Sequence, residues 1–318
     1  MKETMMKANL MIAAAAMALL AACSQPQQAE APAAPAAAAE DHASHDHSGP
    51  VTITATPAGT YQVGQPVTMT LRLTDQNGQP IVAEDLAVKH EHRLHVMVVD
   101  GGLQDYAHAH PTANADGTFS FTFTPRLDRP YRLWADFALN DHHEEAPAEA
   151  DHGHDNGHDH GHDHAEGGHG HGDDHHESGM TYASVDLPVG AGAAPSIAAT
   201  QTLSAEADGL RFQLSLESAL RAGQATRVRL AVVDASGRPY TQLEPLMGAF
   251  AHVVGFNPGA TKMMHVHPDG AEPTSADARG GPTLAFTLEP EAAGPQRLFV
   301  QVKANGREVR VPFTLVVG

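Results

Sequence analysis

The sequence predicts an all-β chain: two tandem Ig-like antiparallel β-sandwich domains joined by a short linker, with a disordered histidine-rich loop inserted in the first. Three observations predict it. Apolar and polar residues alternate with the period of half-buried strands. The second half repeats the first. One low-complexity stretch interrupts that repeat and carries no apolar residue beyond alanine.

The alternation is clearest at Val67, Met69, Leu71 and Leu73, set between Thr68, Thr70, Arg72 and Thr74. Phe119, Phe121 and Phe123 alternate with Ser120, Thr122 and Thr124 in the same way. Period 2 puts one side-chain set into a core and the other into water. For the repeat, Gly64, Leu71, Asp75, Gly78 and Pro80 recur 159 residues later as Gly223, Leu230, Asp234, Gly237 and Pro239. Phe121, Pro125, Pro130 and Leu133 recur 165 residues later as Phe286, Pro290, Pro295 and Leu298. The units are therefore placed at 50–190 and 196–318, each of sandwich size. Asp-x-x-Gly at 75–78 and 234–237 marks turns. Asn305-Gly306 predicts the hairpin joining the last two strands of the second unit. At the matching junction of the first unit stands the insertion, residues 141–179.

Composition bounds the function. The 318 residues carry a formal charge of −19, which leaves nothing to neutralise nucleic-acid phosphates. The single cysteine, Cys23, excludes disulfides, thiolate zinc sites, blue copper and iron–sulfur clusters. Residues 1–22 read as an export signal, with Lys2 and Lys7 before the short apolar run Asn9–Leu20. That run closes on Leu20-Ala21-Ala22-Cys23, which resembles the bacterial lipobox and implies lipidation of Cys23. Ser24 after the cysteine implies, by the same resemblance, the periplasmic face of the outer membrane. Residues 23–49, rich in Ala, Pro and Gln, form a flexible tether. No apolar run of 18 residues follows the signal, so attachment to the membrane is expected through the lipid alone.

Histidine carries the chemistry. Of 23 histidines, His42, His45 and His47 lie in the tether, twelve lie between His142 and His176, and eight lie in the folded units. Both units contain His-x12-His-x-His-Pro: His95, His108, His110 and Pro111, then His252, His265, His267 and Pro268. Strands Leu94–Val99 and Tyr106–His110 would form a hairpin about Asp100-Gly101-Gly102. Residues i and i+2 share a strand face, and facing Cβ atoms lie roughly 4.5–5.5 Å apart. Three imidazoles then converge per unit, as a first-row transition metal requires. The expectation is one site of His95, His108 and His110, and a second of His252, His265 and His267. His90 and His92 extend the ligand choice. Met97, Met247, Met263 and Met264 flank the motifs, and thioether beside imidazole favours Cu(I) over zinc; methionine is equally a core filler.

The insertion holds His152, His154, His158, His160, His162, His164, His169, His171, His175 and His176 among twelve acidic residues and no Lys or Arg. Such a segment chelates copper, nickel, zinc or cobalt weakly, and loses them as pH falls through about 6.5. His110 is expected at the sandwich end where this loop emerges, so that the tract can pass ions to the ordered cluster.

The His-x-His-Pro hairpin, followed by Gly-Thr-Phe-Ser-Phe (117–121) and Tyr-Arg-Leu-Trp-Ala-Asp-Phe (131–137), resembles the YtkA-like or heavy-metal-associated secreted bacterial domains. The likeness covers 85–137 and, more loosely, 245–302. It implies an exported β-sandwich near metal-efflux systems. The second unit departs from it by carrying Gln301 where the first has Asp136. The expected function is an envelope lipoprotein, not an enzyme, that binds copper or zinc, or nickel or cobalt, for buffering, tolerance or delivery to an efflux or uptake system. Two rivals stand beside it. A zinc hydratase or hydrolase is one, because a His-x-His strand beside a third histidine resembles the ligand arrangement of α-type carbonic anhydrases. The other is an interaction module of an efflux assembly.

Overall fold

A computed structural model describes residues 50–140 and 179–318. The signal, Cys23, the tether and the histidine tract at 141–178 lie outside the described residues. What is described is a β-sandwich protein, and among the described residues no helix is long and apolar enough to cross a membrane.

The first half contributes β1 (Thr52–Pro57), β2 (Val67–Thr74), β3 (Pro80–Ile81), β4 (His95–Asp100), β5 (Tyr106–Ala109), β6 (Thr112–Ala113), β7 (Phe119–Phe123), β8 (Tyr131–Ala138) and β9 (Met180–Leu187). The second contributes β10 (Ser204–Ala207), β11 (Leu210–Leu216), β12 (Thr226–Asp234), β13 (Leu243–Glu244), β14 (His252–Phe256), β15 (Met263–Val266), β16 (Thr283–Leu288), β17 (Gly294–Ala304) and β18 (Arg307–Val317). They form four antiparallel sheets. An outer sheet β1-β2-β7-β6, with β3 on β2, faces the sheet β5-β4-β8-β9. In the second half β10-β11-β12-β16 faces β15-β14-β17-β18, with β13 also on β17.

The predicted turns are built from the residues that mark them. Asp75 Oδ1 accepts the backbone N–H groups of Asn77 and Gln79, both at 2.8 Å, and Gly78 takes a φ of 78°. Asp234 repeats the device with Ser236 and Arg238. Asn305 and Gly306, at φ 53° and 74°, close β17 onto β18, the primed turn that the dipeptide favours.

Each sandwich has its own core, but β4 and β14 are buried on both faces. Val96 and Val98 enter the first core, and Val253 enters the second. The other face of both strands feeds a third apolar cluster shared between the halves: Met97, Val99 and Tyr106 against Val254, Phe256, Met263 and Phe299. Tyr106 stacks on Phe299 with ring centroids 4.6 Å apart and planes at 11°. The only tryptophan, Trp134 on β8, donates its indole N–H across the seam to the Ala260 carbonyl at 3.0 Å. The inner sheets therefore pack on each other, and the described residues belong to one compact unit of four layers.

The connection between halves is pinned rather than loose. Gly192 donates its N–H to the Asp128 carbonyl at 3.0 Å. A Cβ on Gly190 would fall 1.9 Å from Asp128 Oδ1, so only glycine lets the chain pass there.

Phe256 is fully buried in the seam. Phe256→Ala should lower unfolding stability by about 3–5 kcal/mol, and Trp134 fluorescence in a urea titration would measure it. A loss under 1 kcal/mol would mean that the seam packs loosely.

Candidate metal centre

The histidines gather in this seam because strand parity sends them there. On β4, His95 shares a face with Met97 and Val99; on β14, His252 shares one with Val254 and Phe256. Tyr106, His108 and His110 follow the same alternation on the neighbouring strand, as do Met263, His265 and His267. All six motif histidines therefore point from the inner sheets into one interior space. The expected His95, His108 and His110 set comes together, and it is not separate from the histidines of the second half. The two clusters face one another.

A matched pair of turns sets the first ligand of each half. Lys89–His92 and Leu246–Ala249 are closed by isolated bridges, and their central residues take positive φ: His90 46°, Glu91 69°, Met247 52° and Gly248 76°. The first carbonyl of each turn accepts the ring N–H of the histidine six residues on. His95 Nε2 reaches Lys89 O at 3.1 Å, and His252 Nε2 reaches Leu246 O at 2.9 Å. A backbone acceptor on one ring nitrogen fixes the tautomer and leaves the other lone pair for a metal. In both rings that ligand atom is Nδ1.

Asp136 does the corresponding work for His265. Paired with His95 in register, it crosses the seam and its Oδ2 accepts from His265 Nδ1 at 2.6 Å, with both side chains buried. This frees His265 Nε2. Gln301 is paired with His252 in the same register, but its amide donates to Glu308 at 3.0 Å instead.

Two sets of three imidazoles have ligand nitrogens all within 4.8 Å of one another: His95, His108 and His110, and His108, His252 and His265. The first is the expected triad. Among the described residues the second set takes His108 from the opposite half in place of His267. His95 Nδ1 and His110 Nε2 are hydrogen-bonded to each other at 3.1 Å, a contact that a bound ion would replace, since the separation is close to the roughly 3.3 Å edge of a tetrahedron with metal–nitrogen bonds of about 2.0–2.1 Å. Among the described residues, nothing hydrogen-bonds to His108 Nδ1 or Nε2, His252 Nδ1 or His265 Nε2, all buried. Leaving a polar group so placed costs roughly 1–3 kcal/mol. A cation bound by these lone pairs removes that cost, and the donor set fits it.

His90 and His92 join the cluster from the first turn. His92 stacks on His110 at 3.6 Å, and His90 lies against His267 at 3.7 Å while its Nδ1 pairs with Glu272 Oε1 at 2.7 Å. Gly248 packs its Cα side against His90, so the two turns meet across the seam. The methionines behave differently. Met97 and Met263 lie in the shared apolar cluster as packing residues, Met247 occupies its turn, and Met264 lies against Gly255. The strands flanking 141–178 end at the histidine end of the sheet, with Asp136 opposite Tyr182 and Ala138 opposite Met180.

Burial holds five of the six motif rings in the neutral form. Desolvation, followed by the surrounding imidazoles, pushes His95 and His252 down to about 3 and His110 to about 2. The same causes lower His108 and His267 strongly. Desolvation also lowers His92, against the opposing field of Glu91. A neutral imidazole is the form that binds metal.

The chain belongs to the family of a domain of unknown function, DUF8832. Its model matches twice, over residues 45–153 and 205–318, once in each half. No curated protein matches the chain. Among solved structures the chain is similar to invasin, a bacterial integrin-binding protein, at 14% identity over 82% of this chain and 39% of that one, with a TM-score of 0.20. It is similar to a beta-glycosidase from Bacteroides vulgatus at 11% over 85% and 25%, with a TM-score of 0.19. MtrC from Shewanella baltica gives 8% over 82% and 68%, with a TM-score of 0.21. The chain spans well under half the length of the first two, and likenesses this slight carry no argument. The DUF8832 match makes each half one copy of the family's unit, with the histidines where the copies meet.

Asp136 and its contact with His265 were not assigned from the sequence. The uninterrupted apolar runs after His95 and His252 are the signal, because a strand buried on both faces loses its alternation.

The lowered histidines set a pH dependence for the metal-free protein. As pH falls below about 6.5 the unfolded chain takes up protons that the folded chain refuses, so stability is retained above that value and lost below it. The slope should be about 1.4 kcal/mol per pH unit for each buried histidine kept neutral. Urea unfolding at pH 7.5 and pH 5 would measure it; equal stability at both would mean that the rings are solvated.

Proposed function

We propose that this DUF8832 protein is a lipid-anchored envelope protein that holds a transition-metal ion, copper or zinc, between its two sandwiches. The observation that carries the reading is the convergence of unpartnered nitrogens of His108, His252 and His265 in a buried seam. Imidazole suits copper and zinc, with nickel and cobalt weaker competitors. Asp136 places a carboxylate against the His265 ring, which offsets the cost of burying a cation beside it.

The rest of the chain supports the same reading. The lipobox-like segment at Cys23 favours an anchor in the periplasmic face of the outer membrane. The histidine tract would gather ions at low affinity, and its flanking strands end beside the ordered cluster, which suits a relay between them. Buffering or delivery to an efflux or uptake system follows from a weak collector feeding a tighter holder. The ligands are almost fully buried, at 8% exposure for His108, 0% for His252 and 9% for His265. That favours retention of the ion over turnover at an open coordination position.

The test is a chelator-competition titration with Zn(II) and Cu(II) on the full chain carrying serine at the fifteen histidines outside the described residues. Tight binding should persist, and His265→Ala should remove the ion held by His108, His252 and His265. Asp136→Asn should weaken it about 10–100-fold, the usual effect of removing the group that orients a ligand. Absence of binding once those fifteen are replaced would overturn the proposal.

A further inference from the structure

The two ligand sets are not alternatives of equal standing, because they share one residue. We infer that the seam holds two metal ions, bridged by the imidazole of His108. This rests on the metal-binding reading above and adds its stoichiometry and a covalent link between the ions.

His108 occupies the middle of the cluster. Its ring centroid lies 5.7 Å from His95 and 5.0 Å from His110 on one side, and 5.2 Å from His252 and 5.3 Å from His265 on the other. Both sets of converging nitrogens need it. An imidazole has two nitrogens on opposite edges of the ring, and both of those in His108 are buried and, among the described residues, unpartnered. Three of the four other ligands have one nitrogen already committed. Backbone carbonyls occupy Nε2 of His95 and His252, and Asp136 occupies Nδ1 of His265.

The repeat explains why His108, not its counterpart, is the bridge. His265 corresponds to His108 and also touches rings from both halves, with His95 at 5.6 Å and His252 at 5.8 Å. Asp136 removes one of its nitrogens from use. The residue equivalent to Asp136 in the second half is Gln301, whose amide donates to Glu308 rather than to an imidazole. A single Asp-to-Gln difference between the halves therefore leaves one central ring with both edges open.

The proton balance is simple. The first ion bonds to the lone pair of neutral His108. The second displaces the remaining ring N–H proton, forming a second metal–nitrogen bond and releasing one H⁺ to the solvent, with no electron transferred. Loss of that proton also lowers the positive charge accumulating in the buried seam by one unit.

Cu(II) is the probe, added at pH 7.5 to the full chain with serine at the fifteen histidines outside the described residues. Two equivalents should bind. The EPR signal should rise through the first equivalent and collapse during the second, because an imidazolate couples the two unpaired spins. The paired changes His95→Ala with His110→Ala should leave one equivalent with an undiminished signal, as should His252→Ala with His265→Ala. Gln301→Glu, which places a carboxylate at the position equivalent to Asp136, should weaken the second equivalent at least tenfold. Saturation at one equivalent, or two equivalents whose signals simply add, would overturn the bridge while leaving metal binding intact. No binding at all would remove the reading beneath it.

Discussion

The structure depends on one constraint: two sheets, each already covered on one side by its own sandwich, are also pressed against each other. A strand covered on both faces has no route to water for any polar side chain. Apolar residues answer that by packing, as Met97, Val99, Val254 and Phe256 do. Histidine cannot, and every ring nitrogen placed there has to be met by a carbonyl, a carboxylate, another ring or an ion. The chemistry of the seam follows from which of these each nitrogen receives.

The neighbouring backbone supplies the first answers. The tight turns before β4 and β14 present a carbonyl to the first histidine of each half, and they use left-handed residues to do so. In the second half Gly248 makes that conformation cheap. In the first, His90 and Glu91 adopt it without glycine, and a strained backbone of this kind persists only where its surroundings hold it. Here the surroundings include the ring contacts of His90 with His267 and of His92 with His110.

Much of this was legible in the sequence. The alternating runs mark the outer strands, Asp75 and Asp234 mark their turns, and the 157-residue recurrence of the histidine motif marks the rings that cluster in the seam. What was not legible was which surfaces meet. Strand parity says that His108 and His110 share a face with each other, but not what that face is pressed against. One triad per sandwich follows from the parity and spacing of each hairpin taken alone, which says nothing of the other half. The apolar runs around Val96–Val99 and Val253–Val254 point to a cover on the second face, since a half-exposed strand would break them with polar residues. The contact between Asp136 and His265 spans 129 positions, beyond the reach of any local pattern.

The difference between Asp136 and Gln301 has a consequence for the ancestry of the chain. Two identical subunits meeting about a twofold axis must offer the same side chain on both sides of their contact. A separate dimer would carry a carboxylate opposite both central imidazoles, or opposite neither. Fusion of the two copies into one polypeptide lifts that restriction, letting each half drift independently at a shared boundary. The asymmetry is thus something a symmetric homodimer cannot encode, and it gives the duplication a selectable use beyond doubling the number of histidines.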